Sequence, residues 1–312
     1  MPTERTALIA LDWGTSNLRA VRLDPHGQVL EQRSAPGGVM TVPAGGFAAR
    51  LLALCEDWLQ GPTPPALIAS GMVGSRQGWQ EAPYLPCPAT LADAAQQLAR
   101  VDFADAQGRM LRLHIAPGLR CVDARGQDDV MRGEETQMWG ADWAAPALCV
   151  LPGTHSKWVW LEAGGAVRRF KTLMTGELYG VLTQHSILGR LMDLPAAGQD
   201  AAAFAQGVAL GHAGHADLAH TLFAARTAGL MGRVSAQGLP DFLSGLLLGA
   251  EVGSTQAEAA GWPIHLLGDD GLCERYARAL SLCGLQSQRV HDAATVRGQW
   301  RLALAAGLIK DA

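Results

Sequence analysis

Short apolar runs broken by small-residue turns dominate the start of the chain. Residues 7–11 are apolar, Asp12-Trp13-Gly14-Thr15-Ser16-Asn17 interrupts them, and apolar positions resume over 18–23. After Asp24-Pro25-His26-Gly27 a third run covers 28–34. This pattern predicts strand, tight turn, strand, hairpin, strand. The same layout returns roughly 140 residues later. There, 147–151 is apolar, Pro152-Gly153-Thr154-His155-Ser156-Lys157 turns, 158–162 continues, Gly164-Gly165 turns again and 166–172 follows.

Between the two repeats the pattern changes to helical spacing. Leu51, Leu52, Cys55, Trp58 and Leu59 predict a helix over 47–59, stopped by Gly61-Pro62. Residues 66–69 read as a strand that runs into Ser70-Gly71-Met72-Val73-Gly74. Thr90 is expected to cap a helix reaching Arg100, 110–115 to form a strand, and 133–143 to form a helix crossing between domains. Beyond the second repeat the chain reads as mostly helical. Gly245, Gly249 and Gly253 recur every four positions in an apolar stretch, so they share one helix face, where another backbone can approach closely. Residues 263–267 form a strand ending in Gly268-Asp269-Asp270-Gly271, with helices expected over 272–283 and 293–308.

Composition narrows the class. In 312 residues, 48% are hydrophobic and 17% charged, enough for sizeable cores and, by length, for two domains. The net charge of −4 gives no basic footprint for nucleic acid. Residues 1–5 lead straight into a strand without a signal-peptide pattern, and no apolar run reaches membrane-spanning length. The six cysteines form no C-x-x-C pair and several lie inside apolar runs, which points to reduced, buried thiols in a cytoplasmic protein. His212, His215 and His220 lack the spacing and companion ligands of a zinc site.

Five segments carry candidate chemistry. A small-residue turn between strands gathers backbone N–H groups and hydroxyls into an anion site. Asp12 at the mouth of the first turn makes sense with a divalent cation between carboxylate and phosphate. We therefore assign Asp12 to Mg²⁺, Gly14, Thr15, Ser16 and Asn17 to phosphate contacts, and Gly153, Thr154 and Ser156 to a counterpart loop. Lys157 is a candidate for neutralising charge on the transferred phosphoryl group. Asp128-Asp129-Val130-Met131-Arg132-Gly133-Glu134-Glu135 offers a carboxylate to take a proton from an acceptor hydroxyl. Glu134 is the first candidate, then Glu135 and Asp129; as an alternative the run is a helix cap. In the loop 70–79, Arg76 can pair with a substrate carboxylate, Trp79 can cover a sugar face, and Ser70, Gly71, Met72 and Gln77 complete the candidate substrate site. Gly268 and Asp269 form a turn that an adenosine could approach. Thr175 and Glu177 either face the substrate or cap a helix.

The doubled strand–turn–strand layout resembles the actin, hexokinase and Hsp70 superfamily with its two phosphate loops. More specifically, Ser70-Gly71-Met72-Val73-Gly74-Ser75-Arg76-Gln77-Gly78-Trp79 with Tyr84-Leu85-Pro86-Cys87-Pro88, Asp129 to Gln137, and Leu151 to Trp158 resemble 2-dehydro-3-deoxygalactonokinases. Met174-Thr175-Gly176-Glu177-Leu178-Tyr179 and Ser244-Gly245-Leu246-Leu247-Leu248-Gly249-Ala250-Glu251 extend the likeness over essentially the whole chain. The resemblance implies an α/β fold of two ribonuclease-H-like domains, mixed sheets flanked by helices, with an ATP cleft between them. The expected domains are 1–140, with the first phosphate loop and the sugar-acid site, and 141–312, with the second loop and the adenosine site. It implies ATP- and Mg²⁺-dependent phosphorylation of 2-dehydro-3-deoxy-D-galactonate at its terminal hydroxyl, in cytoplasmic galactonate breakdown. The implied partner is a small sugar acid, with no nucleic acid or membrane and a homodimer possible. The alternatives are a kinase for another sugar or sugar acid, or a phosphatase or ATP-binding regulator on the same scaffold.

Overall fold

A computed structural model describes residues 5–61, 63–290 and 294–310. The first four residues, the helix stop expected at Pro62 and the helix start expected at Ala293 lie outside the described residues. Contacts divide the chain into two units: 1–145 with 161–169 and 292–312, and 146–160 with 170–291.

The first unit is built on a six-stranded sheet ordered β3-β2-β1-β4-β7-β6. Its strands are β1 Leu8–Trp13, β2 Asn17–Leu23, β3 Val29–Pro36, β4 Ala66–Ser70, β6 Ala99–Ala104 and β7 Met110–Ile115. β1, β2 and β3 pair antiparallel, whereas β4 lies parallel to β1 and β7 parallel to β4. Ile9, Leu11, Trp13, Leu67, Ala69, Leu113 and Ile115 build one core with α1 (Phe47–Cys55). Helix α1 gives way to a tighter turn over Glu56–Leu59, so the expected 47–59 helix changes type part-way. A second, three-stranded sheet orders β5 (Tyr84–Pro86), β8 (Gly118–Val122) and β9 (Asp128–Met131), and precedes α3 (Glu134–Gly140).

Three sequence expectations change in this unit. Thr90 does cap α2 (Leu91–Gln96) in a reciprocal box with Asp93, but the helix stops there and β6 begins at Ala99. Helix α3 ends at Gly140, entirely within the first unit, and does not cross between domains. Helix α10 (Ala294–Ala305), expected in a second domain of 141–312, belongs to the first unit. It crosses α3 backbone to backbone: a β-carbon on Gly298 would lie 1.8 Å from the Thr136 carbonyl oxygen. Gln299, fully buried, donates to the Leu11 carbonyl at 2.6 Å and to Ser70 Oγ at 2.9 Å.

The second unit carries a five-stranded sheet ordered β12-β11-β10-β13-β14. The strands are β10 Ala147–Leu151, β11 Ser156–Leu161, β12 Val167–Leu173, β13 Ile264–Leu266 and β14 Ser287–Arg289. β13 runs parallel to both β10 and β14. The helices are α4 Thr175–His185, α5 Ala201–Ala213, α6 Leu218–Thr221, α7 Ala224–Leu230, α8 Leu239–Ala259 and α9 Asp270–Leu282. Gly245 and Gly249 on α8 do meet another backbone: added β-carbons would lie 2.1 Å from the Phe204 and 2.2 Å from the Val208 carbonyl oxygens of α5. All six cysteines are free thiols, four of them buried. Among the described residues no helix is long and apolar enough to cross a membrane.

Candidate active site

In the first unit, loops at the carboxyl ends of the parallel strands β1 and β4 carry the candidate residues, the usual place for a ligand in an open α/β sheet. Asp12 and Ser70 are register partners on β1 and β4. Beyond Asp12, the Gly14 N–H closes the turn onto the Asn17 carbonyl at 3.0 Å. Thr15, Ser16 and Asn17 are exposed. Their backbone is propped from behind: Gly37 and Gly38 N–H donate to the Ser16 carbonyl, and Val39 N–H to that of Gly14. The Asp12 carboxylate is about a third exposed, with Arg19 at 3.4 Å. Recession from solvent raises its pKa, and Arg19 works against that rise.

The candidate base segment meets this loop. Gly133 sits at φ 105°, a conformation open to glycine, and its missing β-carbon would lie 3.2 Å from Gly71 Cα. A β-carbon on Gly71 would in turn lie 3.6 Å from Asp12 Oδ1. Asp12, Gly71 and the start of α3 are thus neighbours. Glu134 is partly exposed, and its carboxylate accepts the Arg132 backbone N–H at 3.0 Å. Glu135 is fully buried and folds back onto the Gly133 N–H at 2.7 and 2.9 Å, with Thr136 Oγ1 donating at 3.1 Å. Burial, with Glu134 beside it, pushes the Glu135 carboxyl up to about 7. Asp129 lies on β9, in a strand and not in a helix start.

Arg76 and Gln77 are exposed on the turn after β4, and the Arg76 guanidinium has only a 3.8 Å approach to Glu81. Met72 packs partly buried against the core. Trp79 is partly buried, its ring packed among Trp13, Phe47 and Phe103 at centroid distances of 6.2, 5.9 and 5.1 Å. Ser70 is buried beneath Gln299 and supports the strand end. Sequence reading missed Arg132, a buried guanidinium stacked 4.2 Å from the Tyr84 ring and donating to the Ala82 carbonyl at 2.8 Å.

In the second unit the carboxyl ends of β10 and β13 play the same part. Gly153 and Thr154 are accessible, Thr154 the more so. The start of α4 lies directly against them: Glu177 N–H donates to the Thr154 carbonyl at 2.9 Å, and a β-carbon on Gly176 would come within 2.4 Å of the Gly153 carbonyl oxygen. The exposed Glu177 carboxylate bonds His155. Gly268 is exposed, and a β-carbon added there would lie 3.8 Å from the Pro152 carbonyl oxygen, so the candidate adenosine turn borders the candidate phosphate loop. The Asp269 side chain caps α9 through the Leu272 N–H at 3.0 Å, and the Arg289 guanidinium donates to the Gly268 carbonyl at 3.0 Å and to that of Asp269 at 3.4 Å. Beyond it opens a pocket of about 250 Å³ lined by Ala201, Phe204, Asp241, Gly271, Arg275 and Arg278. Buried Asp241 holds Arg275 at 2.5 Å, and the guanidinium lies 4.5 Å over the Phe204 ring.

Three predicted ligand contacts of this unit turn inward instead. Ser156 is fully buried and donates to Glu251 Oε1 at 2.8 Å. Thr175 Oγ1 donates to Glu251 Oε2. Lys157 is buried, with Nζ donating to the His155 carbonyl at 3.0 Å. Strand alternation could have revealed Ser156, which shares its face of β11 with the fully buried Trp158.

A profile of the 2-keto-3-deoxy-galactonokinase family matches residues 12–302. The chain is 39% identical over 278 residues to the 2-dehydro-3-deoxygalactonokinase of Escherichia coli (strain K12), covering 88% of this chain and 90% of that one. It is 37% identical over 298 residues to a Rhizobium meliloti (strain 1021) protein named as a probable 2-dehydro-3-deoxygalactonokinase, covering 92% and 93%. Its fold superposes with a TM-score of 0.84 on the crystal structure of a Sinorhizobium meliloti protein proposed to have the same activity, at 35% identity and coverage of 96% and 98%. With sequence and fold agreeing over nearly its whole length, the chain belongs to the 2-keto-3-deoxy-galactonokinase family.

Proposed function

We propose that this chain transfers the γ-phosphoryl group of ATP to the terminal hydroxyl of 2-dehydro-3-deoxy-D-galactonate, giving the 6-phosphate. The observation that carries the reading is the family match over residues 12–302. The first unit's site fits the chemistry. Thr15, Ser16 and Asn17 present exposed polar groups for phosphate oxygens beside Asp12. A Mg²⁺ suits this donor set, because that ion is commonly held by one or two carboxylates plus substrate phosphates. Among the described residues no group of three or more His, Cys, Asp or Glu converges as an all-protein cage. When bound, the ion supplies charge stabilisation to the transferring phosphoryl group.

Glu134 is our candidate base. As the hydroxyl oxygen bonds to the γ-phosphorus and the bond to ADP breaks, the hydroxyl proton passes to its carboxylate. Glu134→Gln should lower turnover by about 10²- to 10⁴-fold with nucleotide binding little changed. If Glu135→Gln or Asp129→Asn abolishes turnover while Glu134→Gln stays active, the base is that other residue. Arg76, exposed and loosely paired, is our candidate partner for the substrate carboxylate. Arg76→Ala should raise KM for the acid by roughly 10- to 150-fold, from a charge-assisted bond of about 1.5–3 kcal/mol. An equal loss on the neutral amide of the substrate would remove Arg76 from that role.

Gly153 and Thr154 supply the second phosphate loop, and the turn at Gly268 with its neighbouring pocket takes the nucleoside. The reading assigns phosphate contacts to one loop in each unit. It is tested by measuring ADP release across a panel of aldonic and 2-oxo-3-deoxy acids and identifying the phosphorylated carbon. Turnover restricted to other sugars, or ATP hydrolysis independent of any acceptor, would overturn it.

A further inference from the structure

Glu251 is the most completely engaged carboxylate of the second unit, and the reaction as drawn does not use it. It lies on α8, is 3% exposed, and accepts four side-chain donors from three other elements. Oε1 takes Ser156 Oγ at 2.8 Å and Trp158 Nε1 at 2.7 Å from β11. Oε2 takes Thr175 Oγ1 from the start of α4 and the Tyr276 hydroxyl from α9 at 3.0 Å. A carboxylate offers about four lone-pair sites, so this one is saturated. Burying it alone would be costly, and the four donors are what make its ionised form tolerable there.

The placement of those donors is informative. Ser156 is the residue with which β11 leaves the loop 152–155. Thr175 is the first residue of α4, and the next two, Gly176 and Glu177, press on Gly153 and Thr154 of that loop. Tyr276 follows Arg275, which lines the pocket beside the adenosine turn. One buried carboxylate therefore sets the spacing between the foot of the loop, the helix start that braces it, and the helix that carries the nucleoside turn.

We propose that Glu251 is a positioning residue for the nucleotide: it touches no ligand and holds the backbone of Gly153 and Thr154 in register with the turn at Gly268. This rests on the reading of 152–155 as a phosphate loop. Glu251→Gln keeps the volume but turns an amide NH₂ toward one pair of donors. The α4 start or the β11 foot must then give way.

The test measures affinity for Mg·ATP by equilibrium titration and the KM of each substrate, for wild type, Glu251→Gln, Thr175→Val and their double variant. In Glu251→Gln the nucleotide Kd should rise at least about tenfold, while KM for the sugar acid stays within about twofold. Thr175→Val, which removes one arm, should weaken the nucleotide by a few-fold. The double variant should be no worse than Glu251→Gln, because both changes break one linkage. A folded Glu251→Gln with wild-type nucleotide affinity, or with equal losses toward both substrates, overturns the proposal. Should Glu251→Gln fail to fold, Thr175→Val decides, and unchanged nucleotide affinity there overturns it as well. A wild-type chain that binds nucleotide yet phosphorylates no sugar acid would defeat the functional reading while leaving this inference standing.

Discussion

The turn after β1 and the turn after β10 look alike in sequence and are built in opposite ways. In the first, Thr15, Ser16 and Asn17 point their polar groups outward, and the support is backbone: carbonyls of Gly14 and Ser16 tied to the N–H groups of Gly37, Gly38 and Val39. In the second, Ser156 and Lys157 are buried, and the support comes from side chains converging on Glu251 and from the α4 start. The first loop can therefore address a phosphate with side chains and a carboxylate-held ion. The second, in our reading, would address it with Gly153 and the exposed Thr154. A repeated motif fixes where a loop lies without fixing which atoms face the ligand.

The sharpest way to break this contrast is Asp12→Ala. If the first loop works through its side chains, turnover should fall about 10³-fold or more, since charge stabilisation at a phosphoryl centre is worth several kcal/mol. A thermal melt must show the variant folded; a folded variant with near-normal turnover would remove Asp12 from the mechanism.

Next in size is a pH effect at the start of α3. The Glu135 carboxyl is raised from 4.5 to about 7 in the folded chain. The native state then binds more protons than the unfolded state across that interval. Its contribution is therefore complete below about pH 4.5 and is lost as pH rises through about 7. Denaturant titrations should show a fall of up to about 3 kcal/mol for this group over the interval. In Glu135→Gln that slope should flatten, and an unchanged slope would show that another group carries it.

The smallest effects compare the two loops most directly. Ser156→Ala leaves Glu251 one donor short in the interior and should cost about 1–3 kcal/mol of stability. Ser16→Ala, at an exposed position, should alter stability by no more than about 0.5 kcal/mol. It should instead raise KM for ATP by roughly 2- to 10-fold, the worth of one hydrogen bond. If the two serines behave alike in both measurements, the loops do not divide their work between side chain and backbone.

Much of the scaffold was legible because its periodicity is strong. Both triple-strand repeats, β4, β7, β13, α8 and α9 follow from apolar spacing and turn residues alone. The small sheet was not. β5 is three residues long, and β9 begins Asp128-Asp129, which reads as a solvated helix start. β14, Ser287-Gln288-Arg289, has no apolar residue at all, and its place comes from pairing with β13. At the site, loop positions were legible but side-chain directions were not. Ser70, Ser156 and Thr175 have the chemistry of ligand contacts and spend it internally, which only tertiary packing decides. Glu251 did leave a trace: a lone carboxylate inside the apolar run of α8 has to be paired.

The return of α10 to the first unit has a consequence for how the chain comes into being. Strands β1 to β4 are made early in synthesis, yet the Leu11 carbonyl and the Ser70 hydroxyl wait for Gln299 to emerge from the ribosome. The groove on α3 that receives Gly298 stays empty until then. The first unit is thus completed after the second has been translated in full. A premature stop anywhere between 170 and 290 would spoil both, and cutting the gene near residue 145 would separate the oldest strands from the helix that finishes them.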